Sequence, residues 1–131
     1  DAAAVCLVVS DRVAQGRGLA LLAGATLGGT PQEPGLAPVI AIRRIWDGGP
    51  LAQAEIMEAY AVQALAVIDA AGLDPQVVNP GGGSLARGHP IGASGAILAV
   101  RLFHGLKQGR GLAAIAAAGG IGTALLVEAP V

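Results

Sequence analysis

Residues 93–106, ASGAILAVRLFHGL, constrain the fold of this chain more than any other segment. The pattern is that of a helix, and Arg101 and His104 are its only clearly polar side chains. A helix that is apolar on every side is normally buried on every side. The sequence therefore predicts a helix that is covered all round.

The overall composition supports this expectation. Hydrophobic residues make up 53% of the 131 residues and charged residues only 13%, which is very apolar for a soluble domain of this size. We therefore expect another domain or another subunit to cover part of the surface. The net charge of −1 and the lack of a basic stripe argue against nucleic acid or an anionic membrane as a partner.

The single cysteine, Cys6, cannot form a disulfide within the chain and has no companions for a metal site. We therefore expect a reducing compartment, namely the cytoplasm. The chain opens with DAAAVCLVVSD, which lacks a Met and the basic residues of a signal peptide. From this we expect a start that is cut or processed and has no secretory leader.

The least polar tract, residues 111–127, approaches the length of a membrane span. The glycines within it, including the pair Gly119 and Gly120, would weaken a membrane helix. We therefore predict two buried strands joined by a glycine turn.

Apolar runs of strand length alternate with helical patterns along the chain. Residues 2–9 are predicted to form a strand buried on both faces, and a helical pattern through Ala61 and Leu65 ends at Gly72. This alternation predicts one α/β domain over residues 1–131, with a largely parallel sheet. The other predicted elements are a short helix from Asp11 stopped by Gly16 and Gly18, a strand at 19–27, a loop at 30–38, a helix at 39–46, a strand before Met57, and strands at 112–117 and 122–128.

Residues 79–96 read NPGGGSLARGHPIGASGA and place a Gly-His-Pro step in front of the apolar helix. Because Pro90 suits a first helical turn, His89 could hydrogen-bond a developing oxyanion there or take a proton from a nucleophile. On spacing alone, a turn histidine with a local hydrogen bond explains the same pattern. A phosphate-binding loop is disfavoured, since neither GxGxxG nor GxxxxGK[ST] is present.

Four stretches, in order, resemble the thiolase family. NPGGGSLARGHPIGASGA resembles its C-terminal signature, in which a glycine pair precedes Gly-His-Pro and a Gly-Ala-Ser-Gly helix start. The resemblance covers essentially the whole chain. The other stretches are DAAAVCLVVSDRVAQGRGL, similar to a strand and helix that open the domain, MEAYAVQALAVIDAAGL, similar to the Asn-Glu-Ala-Phe helix, and GLAAIAAAGGIGTALLVE, similar to the final strand pair with its cysteine.

The resemblance implies a fold and an assembly. Thiolases consist of two similar halves, each in the order βαβαβαββ. This chain would be the C-terminal half, a layered α/β domain with a five-stranded, mixed but largely parallel sheet flanked by helices. The helix at 93–106 would pack against its counterpart in the N-terminal half, which this chain lacks. That half would be part of the same gene product or a separate subunit, in a homo- or hetero-oligomer.

The resemblance also implies a chemistry. Thiolases cleave or form the carbon–carbon bond of 3-oxoacyl-CoA with a nucleophilic cysteine of the N-terminal half. Coenzyme A thioesters are the substrates, and no cofactor is permanently bound. His89 would activate that cysteine and help to bind the thioester oxygen. The matched positions that would bind substrate are Met57, Gly82, Gly83, Gly120 and Gly122.

Three positions depart from the family's pattern. Ala116 replaces the second cysteine, which moves a proton to and from the substrate carbon, and Met57 replaces the Asn that positions an oxyanion-hole water. The lost oxyanion donor costs about 10² to 10³ in rate and the lost acid/base about 10² to 10⁴. Gly81 replaces an Asn before the glycine pair. Cys6 aligns with a buried strand position, where a thiol is normally inert.

These departures leave two functions open. The chain is either the C-terminal half of a thiolase-like acyltransferase, inactive alone and impaired in condensation, or a non-catalytic subunit for assembly or acyl-CoA binding. Met57 and Ala116 favour the second over a fully active thiolase. A fragment of a longer protein is compatible with both.

Overall fold

A mixed sheet of four strands between helices forms the centre of the computed structural model, which describes residues 1–130. The strands are β1 (Ala20–Gly28), β2 (Gln53–Ile56), β3 (Arg110–Ala117) and β4 (Ile121–Glu128). Their order in the sheet is β1-β4-β3-β2. Strand β4 runs antiparallel to both of its neighbours, and β2 pairs with β3 in parallel.

Helices cover both faces of this sheet. They are α1 (Asp11–Ala14), α2 (Ala37–Ile45), α3 (Ala61–Ala71), α4 (Ser84–Arg87) and α5 (Ser94–Gly105), with 3₁₀ turns at Pro34–Leu36 and Pro75–Val77. Helices α2 and α3 share one apolar cluster with the sheet, and α5 shares a second cluster with it.

Strand β3 is buried from both sides, which explains its continuous apolar sequence. Leu112 and Ala114 belong to the cluster with α2 and α3, whereas Ala113 belongs to the cluster with α5. Successive side chains of a strand point to opposite faces, so a strand between two helical layers needs apolar residues at every position.

Most of the predicted elements are confirmed. The strand before Met57 and the final strand pair are present. Gly119 and Gly120 both take φ +81 in the turn between β3 and β4, a conformation that glycine adopts at little cost. Gly72 caps α3 in the left-handed conformation, as its position predicts. Within residues 1–130 no helix combines the length and apolarity that a membrane crossing requires.

The prediction of a buried first strand is wrong for the structure of this chain. Residues 2–9 form no regular element, and Val5 and Leu7 are 87% and 89% exposed. Cys6 is exposed too, so its predicted core position is not realised. A strand is buried on both faces only between two layers, and no strand of the sheet pairs with this segment.

The α/β class and the mixed sheet are confirmed, but two details of the predicted sheet need correction. The sheet has four strands rather than five, and only one of its three strand pairings is parallel. The segment at 2–9 is the missing strand. Next to β2, Val78 forms a single parallel bridge to Ala54. The 3₁₀ turn at Pro75–Val77 comes directly before Val78, so no longer strand forms at this edge.

Helix α5 is not buried all round by the residues that the structure describes. Ser94, Leu98 and Leu102 are its buried residues, whereas Phe103 is 55% exposed. The sheet contacts α5 through β2 and β3. One face of the helix therefore remains open, although its sequence is apolar on all faces.

Candidate active site around His89

A sharp turn positions His89 in front of α5. Gly88 takes φ +95, a value open to glycine and strained for other residues. Pro90 then begins a tight turn, in which the Ala93 and Ser94 amides both donate to the Pro90 carbonyl at 2.9 Å. These bonds fix the backbone that follows His89 and joins it to the first turn of α5.

A hydrogen bond to Ser94 orients the imidazole. The His89 Nδ1 atom lies 2.7 Å from the Ser94 hydroxyl, which itself donates to the Pro90 carbonyl at 3.0 Å. A hydroxyl has one proton to donate. When that proton goes to the Pro90 carbonyl, His89 donates through Nδ1 and the lone pair lies on Nε2.

Glu58 holds the glycine loop in front of His89. Its carboxylate accepts from the Asn79 side-chain amide at 2.7 Å and from the Leu85 backbone amide at 2.9 Å. A Cβ atom at Gly83 would overlap this carboxylate. The glycine is therefore required by the close approach of Glu58, which joins the chain after β2 to the loop.

Asn79 ties the same loop to the edge of the sheet. Its side chain accepts from the Ile56 amide at 2.8 Å and donates to the Ile56 carbonyl at 2.9 Å. It pairs with β2 as a further strand residue would, while its own backbone takes φ +47. Asn tolerates this left-handed conformation better than most residues. The turn into the glycine loop starts at this residue.

Two arginines lie beside Gly81. Arg87 donates to the Gly81 carbonyl through Nε at 2.9 Å and through a terminal nitrogen at 2.5 Å. Arg101 comes from α5 and donates through Nε to Glu55, which is 1% exposed, at 2.6 Å. A Cβ atom at position 81 would lie 3.4 Å from the Arg101 guanidinium and 3.7 Å from that of Arg87, which are ordinary contact distances. These contacts do not explain the departure at Gly81.

The structure brings His89, Met57 and Ala116 to the same end of the sheet. Met57 directly follows β2 and donates its amide to the Ala114 carbonyl at 2.9 Å, and Ala116 lies near the end of the parallel strand β3. Both residues pack in the cluster beneath α5. The first turn of α5 meets β3 here, since a Cβ at Gly95 would lie 3.9 Å from Ile115.

Gly120 and Gly122 contact a different part of the chain. A Cβ atom at Gly120 would lie 3.0 Å from Pro31, and one at Gly122 would overlap the Ala37 carbonyl at the start of α2. Backbone packing on the α2 side explains both glycines. Their predicted role in substrate binding stays a prediction.

An apolar cleft of about 390 Å³ opens between α5 and the sheet. The cleft lies beside Leu98 of α5 and over residues of β1, β3 and β4. Its walls are small or aliphatic side chains together with Thr26 and Thr123, whose hydroxyls lie 3.0 Å apart. The cleft therefore suits an apolar segment better than a charged ligand.

The arrangement has a base and lacks a second proton carrier. His89 can accept a proton at Nε2, but the side chains at 57 and 116 are a thioether and a methyl group. Within residues 1–130 no group of three or more His, Cys, Asp or Glu side chains could hold a metal ion. The site alone can thus assist a nucleophile that comes from elsewhere.

Three residues of the site were missed from the sequence. Ser94 was not identified as a partner of His89, although its position five residues after the histidine suits a hydrogen bond across a helix start. Glu58 and Asn79 are 21 residues apart, and their contact depends on the pairing of Asn79 with β2. A long-range contact of this kind leaves no local pattern.

Comparisons with known proteins find relatives over almost the whole chain. The sequence profile described as "Thiolase, C-terminal domain" matches residues 18–129. An acetyl-CoA acetyltransferase from Paracoccus denitrificans is 43% identical over 142 aligned residues, which cover 99% of this chain and 36% of the relative. A 3-oxoadipyl-CoA/3-oxo-5,6-dehydrosuberyl-CoA thiolase from Escherichia coli (strain K12) is 38% identical, covering 98% of this chain and 35% of the relative.

Two solved structures are similar in shape. A thiolase from Ascaris suum in complex with coenzyme A superposes with a TM-score of 0.83 at 38% identity, covering 92% of this chain and 34% of that one. An acetyl-CoA acetyltransferase from Bacillus anthracis gives 0.82 at 34% identity, with the same coverage. This chain spans a little more than a third of the length of the curated relatives that it matches.

Proposed function

Because this chain belongs to the thiolase family and corresponds to its C-terminal domain, we propose that it is the histidine-bearing part of a thiolase-like acyl-CoA acyltransferase. The nucleophilic cysteine comes from the N-terminal part, which belongs to the same gene product or to a separate subunit. Coenzyme A thioesters are the substrates, as the names of the relatives suggest. No permanently bound cofactor takes part in the proposal.

The hydrogen bond between His89 and Ser94 carries this proposal. It presents the basic Nε2 atom at the start of α5, beside the end of β3. A thiol in contact with Nε2 would lose its proton to the imidazole and attack a thioester as a thiolate. The resulting imidazolium would then donate a hydrogen bond to the thioester oxygen.

The chemistry after acyl transfer is impaired in this proposal. A carbanion at the substrate carbon needs a group that moves its proton, and the methyl group of Ala116 cannot do so. The surviving reaction is acyl capture by the cysteine: the bond from the acyl carbon to the sulfur of coenzyme A breaks, and the departing thiolate takes the proton of the imidazolium. Slow hydrolysis of the acyl-enzyme by water follows. The apolar cleft beside α5 is covered by the N-terminal part, whose own buried helix packs there.

The His89→Asn variant tests the role of the histidine. An Asn side chain can still donate to Ser94 but has no basic nitrogen, so the rate of acyl capture from acetyl-CoA should fall by about 10² to 10⁴. His104→Asn is a matched control, because His104 is exposed in the last turn of α5. Acyl-enzyme is measured by intact mass on the protein together with its N-terminal part. If the His89→Asn variant captured the acyl group at the unaltered rate, the role of His89 would be structural only.

A second function, a non-catalytic thiolase-like subunit, is favoured by the surroundings of Met57. This side chain is 5% exposed and packs with Leu98, Leu102 and Ala113. The position is therefore an apolar core site. In this alternative the chain keeps the fold for assembly or for binding acyl-CoA.

Restoring the two family residues separates the alternatives. The double variant Met57→Asn with Ala116→Cys should raise the rate of thiolysis at least about 10²-fold if the pocket has kept its shape. Met57→Asn with Ala118→Cys is the control, because Ala118 is exposed in the turn that follows β3. If the double variant keeps its melting temperature but its rate of thiolysis does not rise, the non-catalytic subunit is favoured.

A further inference from the structure

Two guanidinium groups flank one exposed position of the glycine loop. Nη2 of Arg101 lies 3.4 Å and Nη2 of Arg87 lies 3.7 Å from the point where Gly81 would carry a Cβ atom. Arg87 and Gly81 are exposed, and the side chain of Arg101 is 18% exposed. Because like charges repel one another at such short separation, the pair favours an anion placed between them.

The protein holds both arginines by the same edge of the guanidinium group. Arg87 donates through Nε and Nη2 to the Gly81 carbonyl, at 2.9 and 2.5 Å. Arg101 donates through Nε and Nη2 to the Glu55 carboxylate, at 2.6 and 3.5 Å. Nη1 of either arginine makes no hydrogen bond to residues 1–130. Each group is thus fixed in orientation and has a free fork of donors, the geometry that binds a carboxylate or a phosphate through two hydrogen bonds.

The charge of Arg87 has no partner of opposite sign in the part of the chain that the structure describes. Its three hydrogen bonds go to the carbonyls of Gly81 and Gly82, which are neutral. No salt bridge joins it to a carboxylate of residues 1–130. An exposed arginine loses much side-chain freedom when it binds a ligand. Here backbone carbonyls already restrict that freedom, so the entropic cost of binding an anion is reduced.

This pair of cations lies on the same side of the sheet as the proposed acyl site. Glu55 and Met57 are two residues apart, so their side chains point to the same face. That face is the one on which Met57 packs with α5. Arg87 lies two residues before His89 in the chain. One loop therefore carries both the proposed base and the uncompensated charge.

We propose that Arg87 and Arg101 bind an anionic oxygen group of the substrate beside Gly81. This group is a carboxylate at the end of the acyl chain or a phosphate of coenzyme A. Arg87 supplies the uncompensated charge, and Arg101, whose charge is balanced by Glu55, supplies a second fork of donors. The inference rests on the proposed function and adds a determinant of substrate choice to it.

Thioether analogues of the substrate test this inference without catalysis, because a thioether cannot transfer an acyl group. S-butyl coenzyme A and S-(3-carboxypropyl) coenzyme A end in a methyl group and a carboxylate, respectively, and the matching pantetheine thioethers lack the phosphates. Calorimetry on the protein together with its N-terminal part gives a dissociation constant for each ligand. Two ratios follow, namely the preference for the carboxylate over the methyl group and the preference for coenzyme A over pantetheine.

Arg87→Gln removes the charge but retains an amide donor, and it should lower one of these preferences by about 10- to 100-fold. Arg87→Lys retains the charge without the fork and should lower the same preference by a smaller factor. Arg44→Gln, at an exposed position of α2, is the control and should change neither ratio. A loss of loop structure alone would weaken all the ligands alike and leave both ratios unchanged.

The outcomes separate this inference from the proposed function. A lower preference for the carboxylate identifies the acyl chain as the source of the anion, and a lower preference for coenzyme A identifies its phosphates. If Arg87→Gln leaves both ratios unchanged, the anion site is overturned, whereas acyl capture by the same protein would still support the proposed function. If the variant instead dissociates from the N-terminal part, the pair binds a carboxylate of that part, and the proposal is overturned as well. A lowered ratio in a protein that captures no acyl group would support the anion site and contradict catalysis.

Discussion

At the scale of single residues, glycines determine how closely the parts of this domain approach one another. Gly83 admits the Glu58 carboxylate, and Gly122 admits the Ala37 carbonyl at the start of α2. The sequence alone marks these positions only as glycine. The two glycines are required for different reasons. The neighbour of Gly83 is the end of a side chain, whereas the neighbour of Gly122 is backbone, which cannot rotate aside.

Gly122→Ala should therefore destabilise the domain strongly. The added methyl group would force α2 away from β4, and we expect a loss of about 3 kcal/mol or more in the free energy of unfolding, at the upper end for overpacked cores. Gly28→Ala is the control, since nothing lies within 4 Å of its Cβ position. That variant should stay within about 0.5 kcal/mol of the parent. Urea unfolding of both variants measures the difference, and equal losses would contradict the packing described for Gly122.

At the scale of elements, the helices and the strands of the sheet could be predicted from periodicity and from glycine stops. The contacts between these elements could not be predicted in this way. The buried pair of Glu55 and Arg101 joins β2 to α5 across 46 residues, and no local pattern indicates it. The failed prediction at 2–9 has the same cause, because a strand sequence does not specify which sheet it joins.

Replacing the two partners of this ion pair one at a time should lower the free energy of unfolding by different amounts. Arg101→Leu leaves a carboxylate that is 1% exposed without its cation, for which we expect a loss of about 3 to 5 kcal/mol. Glu55→Gln leaves an arginine that is partly exposed and can reach water, so a loss of only about 1 to 2 kcal/mol is expected. Arg44→Leu, at an exposed position of α2, is the control. Chemical unfolding gives the ranking, and a larger loss for Glu55→Gln would contradict this reasoning.

At the scale of the whole molecule, the domain corresponds to the C-terminal domain of the thiolase family and spans a little more than a third of its relatives. The sequence predicted this family, and the comparisons confirm it. The catalytic role of His89 and a partner for α5 stay predictions. The sequence could not show that Ser94 orients the imidazole or that Met57 is enclosed by apolar side chains, since both facts depend on packing. The open face of α5 and the apolar cleft lie on different sides of the same helix.

The composition of the native particle tests the central claim most directly. The protein is isolated from its source under native conditions, its mass is measured, and every chain in it is identified by mass spectrometry. The account predicts a particle in which this C-terminal thiolase domain accompanies an N-terminal thiolase part with a reactive cysteine, on the same chain or on another. A particle that contains only copies of the 131 residues would contradict it, because His89 would then have no nucleophile to activate.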